Sequence, residues 1–82
     1  MTDAKPTATL DTLPVGAVGR ISAVAGPDHL VQRLMEMGLL EGEPVEVVGF
    51  APFGDPIHLR LRDYRLSLRK SEAACVTVEV PA

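Results

Sequence analysis

The amino-acid sequence predicts a small, mainly β domain: a β-barrel of short strands with one inserted α-helix. The chain has 82 residues, which is enough for one domain. Apolar and polar residues alternate over residues 57–69, a pattern typical of strands with one buried face. Apolar residues at helical spacing cluster early, near residues 28–37. Short, closely spaced strands with one early helix favour a small barrel over a parallel α/β sheet.

The helix over residues 28–37 has signals at both ends. Asp28 can cap the first N–H groups and complements the positive end of the helix dipole. Gly38 suits the left-handed residue that follows a helix, and Leu39 can then pack back on Leu34. The sequence therefore predicts a Schellman motif at the C-terminal end of this helix.

The remaining elements follow from turn residues and apolar spacing. We predict strands over residues 17–25, 44–50 and 75–80, with a short helical turn near residues 71–74. Residues 1–9 are mostly small or polar and predict a flexible N-terminal tail. The folded domain is then expected to span residues 10–82.

The clearest pattern is a hairpin whose leucines share one face and whose arginines share the other. A two-residue Asp-Tyr turn would place Leu61 opposite Leu66 and Leu59 opposite Leu68. Pattern and register agree, so we expect the leucines to point inward. Tyr64 is a poor second residue for such a turn, which leaves the loop type open.

Targeting signals and cysteine content predict a cytoplasmic protein. The N-terminus has no basic region followed by an apolar run, as a secretory signal would. No stretch of the sequence approaches the ~20 apolar residues of a spanning helix, so direct membrane insertion is not expected. Cys75 is the single cysteine, which excludes an internal disulfide and favours a reducing compartment.

The charge distribution is uneven. A net charge of −3 and a pI near 5.2 argue against nucleic-acid binding in general. The hairpin nevertheless holds five of the eight Lys and Arg residues: Arg60, Arg62, Arg65, Arg69 and Lys70. This basic face is either a solvated sheet surface, on which arginines also prevent aggregation of edge strands, or a surface for an acidic partner. Both interpretations stay open.

Apolar residues outside the strands also indicate a possible surface for binding a partner. Phe53 and Asp55 lie in a loop between two prolines. Phe53 can tuck onto its own barrel or anchor a partner, and the prolines favour the second role because a stiff loop loses little entropy on binding. Met35 and Leu39 are either core residues or apolar surface left for a partner. The predicted partner surface consists of Phe53, Asp55, Arg60, Arg62, Arg65, Arg69, Met35 and Leu39.

The sequence predicts neither an enzyme nor a metal site built by this chain. It contains no nucleophile motif, no phosphate-binding glycine loop, and no Cys-x-x-Cys or His-x-x-x-His spacing. No cofactor is expected to be required. His29, His58 and Cys75 are the candidate ligands for Fe²⁺ or another transition metal if the fold or a homo-oligomer gathers them.

Several of these segments resemble one known family. The run RLMEMGLLEG, residues 33–42, looks like the FeoA signature of a helix ending in Leu/Met-Gly-Leu/Met, with a glycine after two further residues. The segment APFGDPIHLRLRDYRLSLRKSEA, residues 51–73, is similar to the loop, hairpin and closing turn of that family. Glu41 departs from a common family proline. The family's opening is matched by Leu10, Leu13, Gly16 and Ile21.

The resemblance to the FeoA family implies an SH3-like barrel with an inserted helix. It also implies a partner, the membrane protein FeoB with its cytosolic G-protein domain. The implied role is to regulate or assemble ferrous iron uptake without catalysis. No binding residue is transferred by this resemblance, so the partner surface above depends on the residues themselves.

Overall fold

The computed structural model describes residues 6–80, and within them six strands form one antiparallel sheet: β1 (Thr7–Thr9), β2 (Val18–Val24), β3 (Pro44–Phe50), β4 (Ile57–Arg60), β5 (Arg65–Leu68) and β6 (Val76–Glu79). Two helices accompany the sheet in this range, α1 (Asp28–Glu36) and α2 (Lys70–Ala73), with 3-10 turns at Leu10–Thr12 and Pro52–Gly54. No helix among the described residues has the length and apolarity needed to cross a bilayer.

Most elements lie where the sequence predicts them, but the N-terminus differs. The prediction of a flexible tail over residues 1–9 is wrong for Thr7–Thr9, because these residues pair with β6 as strand β1. Three residues are too few to show an alternating pattern, although β-branched threonine favours strand pairing. Residues 1–5 of the predicted tail lie outside the described residues.

Among residues 6–80, hydrogen bonds do not close the barrel. The strand order is β1-β6-β2-β3-β4-β5, so β1 and β5 are the two ends of the sheet. No ladder joins these two strands in the described part of the chain. A closed barrel needs a full ring of paired strands, whereas the three residues of β1 pair with β6 alone. As a result, β5 is an edge strand.

The β4–β5 hairpin has the predicted faces but a different register. Leu59 lies opposite Leu66 rather than Leu68, which is a shift of two residues. The connecting loop is longer than predicted, and in it the N–H of Leu61 donates to the carbonyl of Tyr64 at 2.8 Å. Because side chains alternate with a period of two, a two-residue shift keeps every leucine on the face predicted for it.

The core lies between the inner face of the sheet and the two helices. No polar or charged side chain is buried in residues 6–80, so the core is entirely apolar there. Each fully buried aliphatic side chain contributes about 1.5–3 kcal/mol relative to an exposed one. The buried side chains are Leu10, Ile21, Leu34, Leu39, Val45, Val47, Ile57, Leu59, Leu61, Leu68, Ala73, Val76 and Val78.

Helix α1 ends in the predicted Schellman motif. Gly38 has a φ of +101°, the left-handed conformation that glycine adopts without a steric penalty. The N–H of Leu39 donates to the carbonyl of Leu34 at 3.1 Å, and the N–H of Gly38 donates to that of Met35 at 3.0 Å. These bonds satisfy carbonyls at the helix end and turn the chain back toward the core.

The same glycine is required by a contact with the hairpin. The hydroxyl of Tyr64 donates to the carbonyl of Met37, so the hairpin loop is joined to the end of α1. A Cβ atom at Gly38 would collide with the Tyr64 hydroxyl oxygen. A larger residue at this position would therefore displace the tyrosine as well as strain the backbone.

Gly38→Ala is expected to destabilise the fold more than Gly42→Ala. Gly42 also has a positive φ, +91°, but nothing lies within 4 Å of a Cβ placed there. Each substitution should cost roughly 1–2 kcal/mol through left-handed strain, and only the first should add a collision with Tyr64. Urea unfolding of both variants measures the difference. In a Tyr64→Ala background the two costs should agree within about 0.5 kcal/mol, and a persistent excess would contradict this contact.

Candidate functional site

The outer face of the β4–β5 hairpin carries polar and basic side chains. His58 lies opposite Ser67, and Arg60 lies opposite Arg65. The Nδ1 atom of His58 is 2.7 Å from the Oγ atom of Ser67, so these side chains are hydrogen-bonded across the strands. Two arginines directly opposite each other repel. An ion pair between Arg60 and Glu46 of β3 partly offsets that repulsion.

The hairpin is basic in an otherwise acidic chain. Residues 57–70 contain five cationic side chains and one carboxylate, that of Asp63, for a net charge of +4. Since the whole chain carries −3, the remaining residues carry −7. Among the residues that the structure describes, only Arg60 of the five cationic residues has an ion-pair partner. All five are exposed: Arg60, Arg62, Arg65, Arg69 and Lys70.

The loop between β3 and β4 presents Phe53 to solvent. Its side chain is fully exposed, at 105% of the reference area. Its φ of +71° is unusual for a bulky residue. The loop itself is held in place: the N–H of Ala51 donates to the carbonyl of Pro56 at 2.9 Å. In addition, Oδ1 of Asp55 accepts a hydrogen bond from the N–H of Lys70 at 3.0 Å, which ties the loop to the chain just after β5.

The two predicted helix-side residues have different environments. Met35 is 46% exposed and is available to a partner. Leu39 is 0% exposed, so its assignment to the partner surface is wrong. The Schellman motif explains the difference, because it folds Leu39 onto the core beside Leu34. Leu40, at 45% exposure, is the apolar residue that this turn leaves in solvent.

Tyr64 is a residue of this surface that is absent from the predicted partner surface. Its side chain is 46% exposed while its hydroxyl binds the carbonyl of Met37. The contact places the tip of the basic hairpin against the end of α1. The poor fit of tyrosine to a two-residue turn was the one signal in the sequence that this side chain has another contact.

The candidate metal ligands lie on different elements. His29 is exposed on α1, His58 is half-buried on β4, and Cys75 is half-buried just before β6. The Sγ atom of Cys75 is 3.7 Å from the carbonyl oxygen of Ser71. Over residues 6–80, no three His, Cys, Asp or Glu side chains are close enough together to hold one metal ion. The described fold therefore does not gather the three candidates with each other.

Comparison with known proteins identifies relatives of this chain. A family model described as the FeoA domain matches residues 8–80. The chain is 38% identical over 71 residues to an Fe(2+) transport protein A/Fe(2+) transporter FeoB fusion protein from Porphyromonas gingivalis. That match covers 87% of this chain and 8% of the relative, so the chain spans a small part of the relative's length.

Solved structures agree with the fold. The NMR structure of an FeoA-like protein from Clostridium acetobutylicum has a TM-score of 0.84 and 38% identity, covering 94% of this chain and 88% of that chain. A crystal structure of Stenotrophomonas maltophilia FeoA complexed with zinc, described as an SH3 domain protein, has a TM-score of 0.76 and 33% identity. It covers 88% of this chain and 89% of that chain. The predicted SH3-like fold with an inserted helix is confirmed.

Substitutions at Phe53 and Leu39 are expected to have opposite effects on stability. Phe53→Asn removes an exposed ring and introduces a residue that tolerates the left-handed backbone, so the free energy of unfolding should stay unchanged or rise by up to about 1 kcal/mol. Leu39→Ala empties a buried site and should lower it by about 2–5 kcal/mol. Chemical denaturation provides both values. A loss above about 1 kcal/mol in Phe53→Asn would show that the ring packs on its own domain.

Proposed function

The chain belongs to the FeoA family, and from this premise we propose that it is a non-catalytic accessory protein of bacterial ferrous iron uptake. It acts in the cytoplasm by binding the cytosolic part of the membrane transporter FeoB, and so regulates or assembles the transporter. The fused relative supports the choice of partner, since there an FeoA part and an FeoB part share one chain. Fusion raises the effective concentration of two linked parts to about the millimolar range, which favours their contact.

The observation that carries the proposal is the conformation of Phe53. A bulky residue in the left-handed region costs roughly 1–3 kcal/mol, and the fully exposed ring recovers none of this by packing on its own domain. Such strain is typical of functional positions. Aromatic side chains are enriched at protein interfaces, where they fill pockets on the partner. Because the loop is already fixed by its hydrogen bonds, little entropy would be lost when a partner covers the ring.

The basic hairpin supports an acidic counterpart on FeoB. Arg62, Arg65 and Arg69 are exposed and have no ion-pair partner in the part of the chain that the structure describes. Exposed charges at the rim of an interface mainly raise the association rate and set its orientation, while the central apolar anchor contributes more of the affinity. Phe53 and the arginines therefore have separable effects on binding.

Phe53→Ala is expected to weaken binding to the purified cytosolic domain of FeoB by at least tenfold, as is common for a buried aromatic anchor. The double variant Arg62→Glu, Arg65→Glu should instead slow association at low salt. That effect should shrink above about 0.5 M salt because the charges are then screened. Calorimetry measures the first effect and surface plasmon resonance the second.

Val15→Ala provides the matched control, because Val15 is also an exposed apolar side chain, at 57%, and lies before β2 rather than on the proposed surface. It should bind with wild-type affinity. Wild-type affinity in Phe53→Ala would show that the surface is elsewhere. Failure of the wild-type chain to bind the FeoB domain would refute the partner itself.

A second candidate function is transition-metal binding, which is favoured by the zinc complex of the Stenotrophomonas maltophilia relative. The described residues of this chain do not bring three potential ligands together, so a site for Fe²⁺ here would need side chains from a second molecule. Anaerobic titration with Fe²⁺ combined with sedimentation tests this. A metal-dependent dimer that is lost in His29→Ala or His58→Ala would support the second function. An Fe²⁺-insensitive monomer would refute it.

A further inference from the structure

The edge strand β5 has backbone groups that the sheet does not use. The N–H of Leu61 donates to the carbonyl of Tyr64, so this pair, one position beyond the Arg60–Arg65 end of the ladder, is a hydrogen-bonded one. Hydrogen-bonded and non-hydrogen-bonded pairs alternate along an antiparallel ladder. The backbone groups of Leu66 therefore face β4, whereas those of Arg65 and Ser67 face away from it.

These outward backbone groups find no protein partner within residues 6–80. β5 is the last strand in the sheet order, and no backbone bond from Arg65 or Ser67 to another part of the described chain is formed. The two residues are separated by one position, so their donors and acceptors repeat at about 6.8 Å along the edge. An added extended chain presents its own groups at the same repeat.

We propose that β5 is a strand-addition site for an extended, acidic segment of a partner protein. The backbone of that segment pairs with Arg65 and Ser67, and its carboxylates lie beside the arginines of the hairpin. The identity of the partner, FeoB, rests on the proposed function. Strand addition goes further, because it specifies how FeoB is bound and that the bound segment of FeoB is extended and acidic.

Charge decides between an acidic segment and a second copy of this chain. Two β5 strands paired edge to edge would bring two hairpins of net charge +4 together, and like charges on adjacent strands are destabilising. Basic side chains on an edge strand are a common protection against such self-pairing. An acidic strand converts the same side chains into favourable cross-strand pairs.

The position of β5 also predicts the pattern of the bound segment. Arg65 and Ser67 are exposed on the outer face, whereas Leu66 between them is half-buried on the inner face. A segment with alternating acidic and apolar residues would place its carboxylates beside Arg65 and its apolar side chains beside Leu66. β5 has four residues, or about 13 Å, and the hydrogen bond from Lys70 to Asp55 ties the Phe53 loop to its end. A segment of six or seven residues would reach this loop.

The test uses a capped hexapeptide of alternating Glu and Val as the probe. Matched peptides carry Lys in place of Glu, or N-methyl groups on the amides that would face β5. Amide hydrogen exchange by NMR on the complete chain is the readout. The Arg65 and Ser67 amides should exchange at least about tenfold more slowly with the Glu-Val peptide, and the already bonded Leu66 amide should change little. The Lys and N-methylated peptides should give no protection.

Ser67→Pro and Ser67→Ala separate the backbone contribution from the side chain. Both lose the hydrogen bond to His58, but only proline removes the outward N–H. Proline is tolerated on an edge strand where its nitrogen faces solvent, so both variants should fold. The proline variant should bind the Glu-Val peptide about tenfold more weakly than the alanine variant. If the proline variant does not fold, the N-methylated peptide tests the backbone contribution instead.

The results of these experiments also test strand addition at β5 separately from the identity of the partner as FeoB. Binding of the FeoB domain without protection of the Arg65 and Ser67 amides would overturn strand addition and leave the partner intact. Protection by the Glu-Val peptide without binding of the FeoB domain would support strand addition and refute FeoB as the partner. Equal binding of the Lys peptide, preferential binding of a single-stranded oligonucleotide, or self-association through β5 would each overturn the proposal.

Discussion

Burial of the leucines of β4 and β5 is the interaction on which the rest of this structure depends. Leu59 and Leu68 are 0% exposed, and each buried leucine contributes about 1.5–3 kcal/mol. A domain of this size has a total stability of only about 5–15 kcal/mol, so turning both side chains into water would remove much of it. Because side chains alternate with a period of two, this burial alone requires that the arginines of the same strands face solvent.

Features with a local cause could be predicted from the sequence, and features with a distant cause could not. The end of α1 follows from Gly38 and Leu39, which are adjacent in the chain, and it was predicted correctly. Strand β1 depends on pairing with β6, some 70 positions away, and was missed. The predicted register of the hairpin is wrong by two residues. The poor fit of Tyr64 to the predicted turn indicates another loop type, but the partner of its hydroxyl, Met37, lies 27 positions away and has no local signal.

In the candidate site, too, some features could be predicted from the sequence and others could not. Exposure of the arginines follows from strand alternation and could be predicted, and the prolines around Phe53 favoured its exposure as well. The left-handed backbone conformation of Phe53 has no signal in the sequence. The sequence alone does not decide whether Leu39 is a core or a surface residue, because an apolar residue beside the helix fits either place. The hydrogen bonds of the Schellman motif decide the question, because they direct Leu39 into the core and leave Leu40 in solvent. The partner-binding roles of these residues stay predictions.

An open sheet and a basic edge have linked consequences for binding. The open edge of β5 exposes pairing groups that could recruit any extended chain, and the arginines restrict that access to acidic ones. A contact along four residues and one loop buries less area than a stable complex needs, about 1,200 Å², so the proposed interaction is expected to be weak and sensitive to salt.

In a fused chain such as the Porphyromonas gingivalis relative, tethering can supply the concentration that a weak contact requires. For partners on separate chains, electrostatic steering can compensate for the small interface, because it raises the association rate without enlarging the buried area. The concentration of basic residues on one hairpin of an acidic domain is consistent with that physical requirement.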